Sequence, residues 1–326
     1  ASASAALLAL YGENSPEWQA YYPLHRGGTA ILPYVITEFA GVNPAFALER
    51  AVAANRNPED LSWQDVPNYN PPIRPIASDT PPLWHVKKKH ALYYTALGRG
   101  DFTKLLQQVA IVAIEDSSEA RIINDNFADV LAYIENLNPP TYPEAIDQSL
   151  AEQGKIVFDT NCQQCHGTYG GANETYPNLL VDVATVGTDP AYADSFIDVP
   201  EFANFINSSW FTQSPNNSAE IVNSRAYVAP PLDGIWATAP YLHNGSIPNL
   251  MTLLNSEERP TYWRRSFNHN DYDLDKVGWL YTVESQAVDT KTYNTTLEGY
   301  GNQGHTYGDY LSDSERLALV TYLKTL

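Results

Sequence analysis

Residues 161–167 read Asn-Cys-Gln-Gln-Cys-His-Gly and hold both cysteines of the 326-residue chain, Cys162 and Cys165. A disulfide-stapled secreted fold spreads its cysteines, and a four-ligand zinc site needs a second cysteine pair or a close histidine pair that the sequence lacks. A redox dithiol would use Cys-x-x-Cys but does not require the histidine that follows. Cys-x-x-Cys-His is the attachment string of haem c, in which both thiols add across the porphyrin vinyl groups. His166 is then held beneath the ring, where its imidazole can bind iron. The expectation is one covalent haem c on Cys162, Cys165 and His166, with a redox dithiol or a chance match as the other readings.

Compartment and partners follow from chemistry and charge. Covalent haem attachment in bacteria is completed outside the cytoplasm, so a periplasmic or extracellular location is expected. The opening Ala1-Ser2-Ala3-Ser4-Ala5 reads as what remains after cleavage at small residues or after some later processing. Lys and Arg total 19 against 38 Asp and Glu, a formal net charge of −19. That field repels phosphate backbones and anionic lipid headgroups, which argues against nucleic-acid and membrane-surface partners and leaves two readings, a basic redox partner protein or simply a solvated acidic surface. No apolar run approaches the ~18 residues of a membrane span. Hydrophobic residues at 44% against 17% charged allow a packed core.

The pattern along the chain reads as mainly α, with long irregular loops. Helices are expected over 45–55, over 102–114 behind an Asp101 cap, and around Phe127, Val130, Leu131 and Ile134, which recur at helical spacing. Residues 65–82, crowded with Pro and Asn, read as a surface loop. Asn138-Pro139-Pro140 stops the preceding helix and marks a boundary. This divides the chain into a helical, proline-rich segment, 1–139, and a c-type cytochrome domain, 140–326. In the second part, 144–158 reads as a helix with Gly154 and Phe158 on one side. Ser312-x-x-Glu315 is a capping box opening a last helix, on which Leu319, Tyr322, Leu323 and Leu326 share a face. These two helices are expected to cross closely, with 168–310 mostly loop between them.

Several strings occur together: Gly154-x-x-x-Phe158, Cys162-x-x-Cys165-His166-Gly167, Tyr176-Pro177-Asn178, Gly187-Thr188-Asp189-Pro190, the run from Pro231 through Trp236 to Ser246, and Gly304-His305-x-Tyr307-Gly308. In these the chain resembles the di-haem cytochrome c peroxidase superfamily, and most closely its haem-type rubber oxygenase branch, over roughly 80–326. That family carries two Cys-x-x-Cys-His sites, whereas here no cysteine lies upstream of Cys162. The resemblance therefore implies the second-haem half together with the tail of the first domain. A one-haem relative, a processed product and a chain with part missing all remain open.

Iron bound by His166 has one further axial position, and its occupant decides between electron transfer and chemistry on a bound small molecule. Candidates are Met251, His243, His269 and His305, with His25, His85 and His90 in the first half. The resemblance implies His305, flanked by Gly304 and Gly308, and hence a bis-histidine iron. Met251 between Asn249-Leu250 and Leu253-Leu254 reads more simply as core. Trp236, Tyr241 and His243 are implied to border the haem. Asp271-x-Asp273-x-Asp275 lacks an acidic residue at the twelfth loop position and reads as structural. The functional expectation is single-electron transfer. The alternatives are part of a peroxidase-like or oxygenase-like di-haem enzyme with its first haem upstream, and a subunit of a larger surface assembly.

Overall fold

A computed structural model describes residues 2–73, 77–213, 218–268 and 270–326 of the chain. Its helices are α1 (Ser2–Tyr11), α2 (Pro16–Ile31), α3 (Ala45–Ala54), α4 (Phe102–Leu106), α5 (Ser117–Glu135), α6 (Gln148–Asn161), α7 (Gln163–His166), α8 (Val183–Val186), α9 (Ala191–Asp198), α10 (Pro200–Ser208), α11 (Leu250–Leu253) and α12 (Asp313–Leu323). The strands are short: β1 (Gly98–Gly100), β2 (Leu180–Asp182), β3 (Ala219–Ile221), β4 (Ala226–Val228), β5 (Tyr262–Arg265), β6 (Tyr272–Asp273), β7 (Gly278–Trp279), β8 (Tyr281–Val283) and β9 (Tyr293–Asn294). All pairings are antiparallel: β1 with β3, β2 with β4, β6 with β7, and β5 between β8 and β9. Helix predominates, and the strands act as clips between loops rather than as layers.

Helices α6 and α12 form the frame of the second half. The Asp147 side chain accepts from the Leu150 N–H and starts α6, while Ser312 and Glu315 cap α12 reciprocally. The two cross where Gly154 lies against α12. A Cβ added there would stand 1.9 Å from the Ala318 carbonyl oxygen, so only glycine admits this approach. One turn on, the Phe158 ring meets Tyr322 at 5.3 Å between centroids. Such an aromatic pair adds about 1 kcal/mol beyond the area it buries. Leu232, Leu250, Leu254, Leu319, Val320 and Leu323 complete this core.

A second apolar cluster draws on both sides of residue 139. Phe46, Leu97, Leu105 and Ile134 pack with Tyr192, Phe196, Phe202, Trp210, Phe211 and Tyr227. A third surrounds the β5 sheet, where Trp263 and Tyr293 stack at 5.2 Å beneath Phe39.

Four expectations change in detail. The helix expected over 102–114 ends at Leu106 and gives way to a tighter turn over Gln108–Val112. There the Gln107 amide is drawn away to Asn124, and three β-branched residues weaken the helical preference. Helix α5 begins at Ser117, well before Phe127, because Asp116 caps it. Of its apolar face Ile134 is buried while Val130 stays exposed. The loop 65–82 is not wholly superficial, since Ala77 and Ser78 are buried. Lastly, 168–310 contains α9 and α10, whose buried Tyr192, Phe196, Phe202, Phe205 and Ile206 anchor the second cluster. Pro200 stands in the first turn of α10, where its missing N–H costs nothing.

Candidate functional site

Helix α6 runs directly into the Cys-x-x-Cys-His turn. The Cys162 N–H continues the helix to the Phe158 carbonyl, and the Cys165 and His166 N–H groups both return to the Cys162 carbonyl. Gly167 then turns the chain at φ +87, with the Thr175 carbonyl oxygen 1.8 Å from where a Cβ would be. Both sulfurs and the His166 ring are thereby directed to one side. That side is a cavity of about 380 Å³, within the size range of cofactor sites. Cys162 and Cys165 are not joined, and burial pushes both thiols up, Cys162 to about 11. A catalytic dithiol needs a lowered thiol pKa, so the redox-dithiol reading has no support here.

His166 is held from below. Its Nδ1 lies 2.9 Å from the Pro230 carbonyl, which can only accept, so Nδ1 carries the proton and Nε2 keeps its lone pair. Metal-binding histidines are oriented by this kind of bond. The Tyr169 hydroxyl donates to the His166 carbonyl and accepts from the Leu232 N–H, tying the Cys-x-x-Cys-His turn to the Pro230–Leu232 strip.

His305 faces His166 across the cavity, with ring centroids 6.3 Å apart and ring planes at 60°. An imidazole–metal bond of about 2.0 Å on each side would set the two ring centres roughly 6 to 6.5 Å apart. The residues thus fit a metal centre held between two imidazoles. The His305 loop is shaped for this position. Gly304 sits at φ +75 and His305 at φ +45, both left-handed. A Cβ on residue 304 would come within 2.2 Å of the Gly187 backbone. The His305 N–H donates to the Val186 carbonyl, and the Arg259 guanidinium grips the carbonyls of Asn302, Gly304 and His305. Burial, with His166 alongside, lowers His305 to about 4, and burial lowers His166 as well. Both imidazoles are neutral at pH 7, the state in which a ring nitrogen can bind metal. The His305 Nδ1 is buried without a hydrogen bond.

The other sequence candidates divide. Tyr241 and His243 line the cavity. The Tyr241 hydroxyl donates to the Ile235 carbonyl. His243 stacks on Tyr227 at 4.2 Å, and its Nε2 lies 3.1 Å from the Tyr227 oxygen. That phenol gives its only proton to the Asp189 carbonyl, so His243 is the donor of the pair. Burial lowers His243 to about 3, and its bonding is that of a wall residue. Trp236 is not part of the lining: its indole N–H donates to the Pro140 carbonyl and its ring meets Tyr142 edge-on. Met251 lies outside the lining too, packed among the leucines of α11. His25 stacks on Tyr21 within α2, His90 is exposed, and His269 falls outside the described residues. His85 lines the cavity. Asp273 accepts from the Asp275 and Lys276 N–H groups and shapes a turn. Pro230 and Arg259 had no signal in the sequence, because each acts through contacts distant along the chain.

Part of the chain is similar to a cytochrome c-like domain, a class of module that carries haem c. Residues 226–264 match a family model described as RoxA-like, cytochrome c-like, a stretch that includes the Trp236–Ser246 run. Two proteins of Sinorhizobium fredii are similar in sequence. Uncharacterized protein y4iJ is 32% identical over 58% of this chain and 41% of its own length, and uncharacterized protein y4iM is 26% identical over 97% and 80%. The chain thus matches less than half of the first and four-fifths of the second.

Proposed function

We propose that this chain is a c-type cytochrome carrying one covalent haem and passing single electrons to and from a partner protein. The observation that carries the reading is the pair of neutral imidazoles, His166 and His305, set 6.3 Å apart in a cavity that also holds both Cys-x-x-Cys thiols. When bound, haem supplies a one-electron iron couple. Cys162 and Cys165 would hold it through thioether bonds, and His166 and His305 would each offer an imidazole nitrogen to its iron. Pro230 and Arg259 position those ligands, the first through the ring N–H and the second through the loop backbone. Tyr241, His243, Leu250, Leu254 and Leu319 line the cavity and would exclude water from the bound group. With His166 and His305 both committed to the iron, the arrangement would favour electron transfer over oxygen or peroxide chemistry. Periplasmic or extracellular placement and a basic partner surface go with this reading, given the attachment chemistry and the charge of −19.

The test is the mass and spectrum of the intact protein. One haem mass per chain and a low-spin spectrum in both oxidation states are expected, without the weak long-wavelength absorption of a sulfur–iron bond. His305→Ala should keep the haem, turn it high-spin and open it to cyanide. A high-spin native protein, or a His305→Ala variant with unchanged ligation, would remove the bis-histidine assignment. A second reading, as part of an oxygenase-like di-haem enzyme, rests on the family match at 226–264. It requires a second haem peptide upstream of Ala1 in the native protein.

A further inference from the structure

Residues Leu83–Lys88 form a tight turn fastened to a single residue of the opposite strip. The Trp84 indole N–H and His85 Nε2 both reach the Asp233 carbonyl, at 2.7 and 2.6 Å, and the Lys88 ammonium pairs with the Asp233 carboxylate at 2.5 Å. Three bonds to one residue fix the rotation of the turn. As a result His85 and the next residue after the turn, Lys89, both line the cavity.

His85 keeps an unsatisfied ring nitrogen there, and the half-buried Lys89 has no ion-pair partner among the described residues. A carbonyl can only accept, so the Nε2 of His85 carries its proton and Nδ1 is left bare. His85 is 2% exposed and its Nδ1 has no partner. Lys89 is the one ammonium or guanidinium among the described lining residues, and no hydrogen bond or ion pair from its side chain is formed with the described residues. Burial lowers Lys89 to about 8 with no carboxylate offsetting it, and its charge is felt at His85. Asp79 is the one carboxylate among the described lining residues, and burial pushes it up to about 7, the Thr80 backbone and Arg265 offsetting only part of that. A cation held this way is costly unless an anion arrives beside it.

We propose that Lys89 and His85 form the seat for a carboxylate of the bound haem, one of its two propionates. The inference rests on the haem reading above. The seat opens into the same cavity as Cys162, Cys165, His166 and His305, so its occupant is the molecule that fills that cavity. A small free anion would leave the remaining volume empty. With a carboxylate alongside, the Lys89 ammonium donates one charge-assisted bond, and His85 retains a second proton and donates another from Nδ1.

The experiment compares the native holoprotein with Lys89→Met and Lys89→Arg by haem mass, absorption spectrum and redox titration. Lys89→Met should keep its haem and low-spin spectrum but show a lower midpoint potential, since a positive charge that favours the reduced iron is gone. Lys89→Arg should stay near the native potential. Equal potentials in native and Lys89→Met proteins, both haem-loaded, would overturn the seat while leaving the haem reading intact. A native chain without haem would overturn both. Should Lys89→Met fail to accumulate, the propionate-bending band in the resonance Raman spectrum of the native protein carries the test. A frequency typical of a strongly hydrogen-bonded carboxylate supports the seat, and one typical of a free, solvated carboxylate overturns it.

Discussion

Arg259 donates from Nη2 to the His305 carbonyl at 3.1 Å, and from Nη1 to the carbonyls of Gly304 at 2.7 Å and Asn302 at 2.8 Å. A fourth bond, from Nη2 to Leu253 at 2.8 Å, anchors the same guanidinium to α11. The left-handed backbone of Gly304 and His305 is thus held by one side chain. Arg259→Gln should leave several carbonyls unpaired, each at a cost of about 1–3 kcal/mol, and let His305 move off its position. The expected outcome is a larger high-spin fraction and faster cyanide binding at unchanged haem content, with Arg259→Lys intermediate. A spectrum like the native one in Arg259→Gln would show that the loop holds itself.

The α6–α12 crossing predicts the effect of a single methyl. Gly154→Ala places a Cβ 1.9 Å from the Ala318 carbonyl oxygen, and backbone cannot move aside as a flexible side chain can. Overpacking of this kind costs about 1–3 kcal/mol or more. A clear fall in thermal midpoint is expected, measured with the haem in place.

Glu49 gives stability a dependence on alkaline pH. It is buried in α3, one carboxyl oxygen has no hydrogen bond, and burial raises it from 4.5 to about 8. Between those values the folded chain holds a proton that the unfolded chain has released, so stability falls as pH rises through this range. Glu49→Gln should remove that slope. Urea unfolding at pH 6 and pH 9 measures it: the native protein should lose stability between the two and the variant should lose less.

Trp236 separates resemblance from contact. Its indole faces Pro140 and Tyr142 rather than the cavity. Trp236→Phe should leave the haem spectrum and midpoint potential as they are, while stability falls by about 1 kcal/mol with the lost hydrogen bond. A shifted spectrum would return this ring to the haem environment.

What could be read from the sequence was local. The spacing of Gly154 and Phe158, the Ser312–Glu315 box and the Cys-x-x-Cys-His string are each contained within a few residues, and each stands in the structure as a cap, a crossing or a turn. The faces of α9 and α10 were equally local but lay in a stretch rich in Asn, Pro, Gly and Tyr that reads as loop. The grips on the site were not legible, because Pro230 is 64 residues from His166 and Asp233 is 148 from His85. No periodicity connects positions so far apart. Trp236 shows the complementary limit: a motif gives the residue but not the direction in which its ring turns.

The enclosure built from Pro81, Pro82, Tyr93 and Tyr94 with Phe158, Leu250, Leu254 and Leu319 is largely greasy. In the proposed haem form, a charge that changes by one unit inside such a shell has few mobile dipoles to reorient. Low reorganisation energy follows, and with it rapid exchange across a docked interface at little driving force. The apolar walls would thus set the speed of traffic through the iron as well as its shelter.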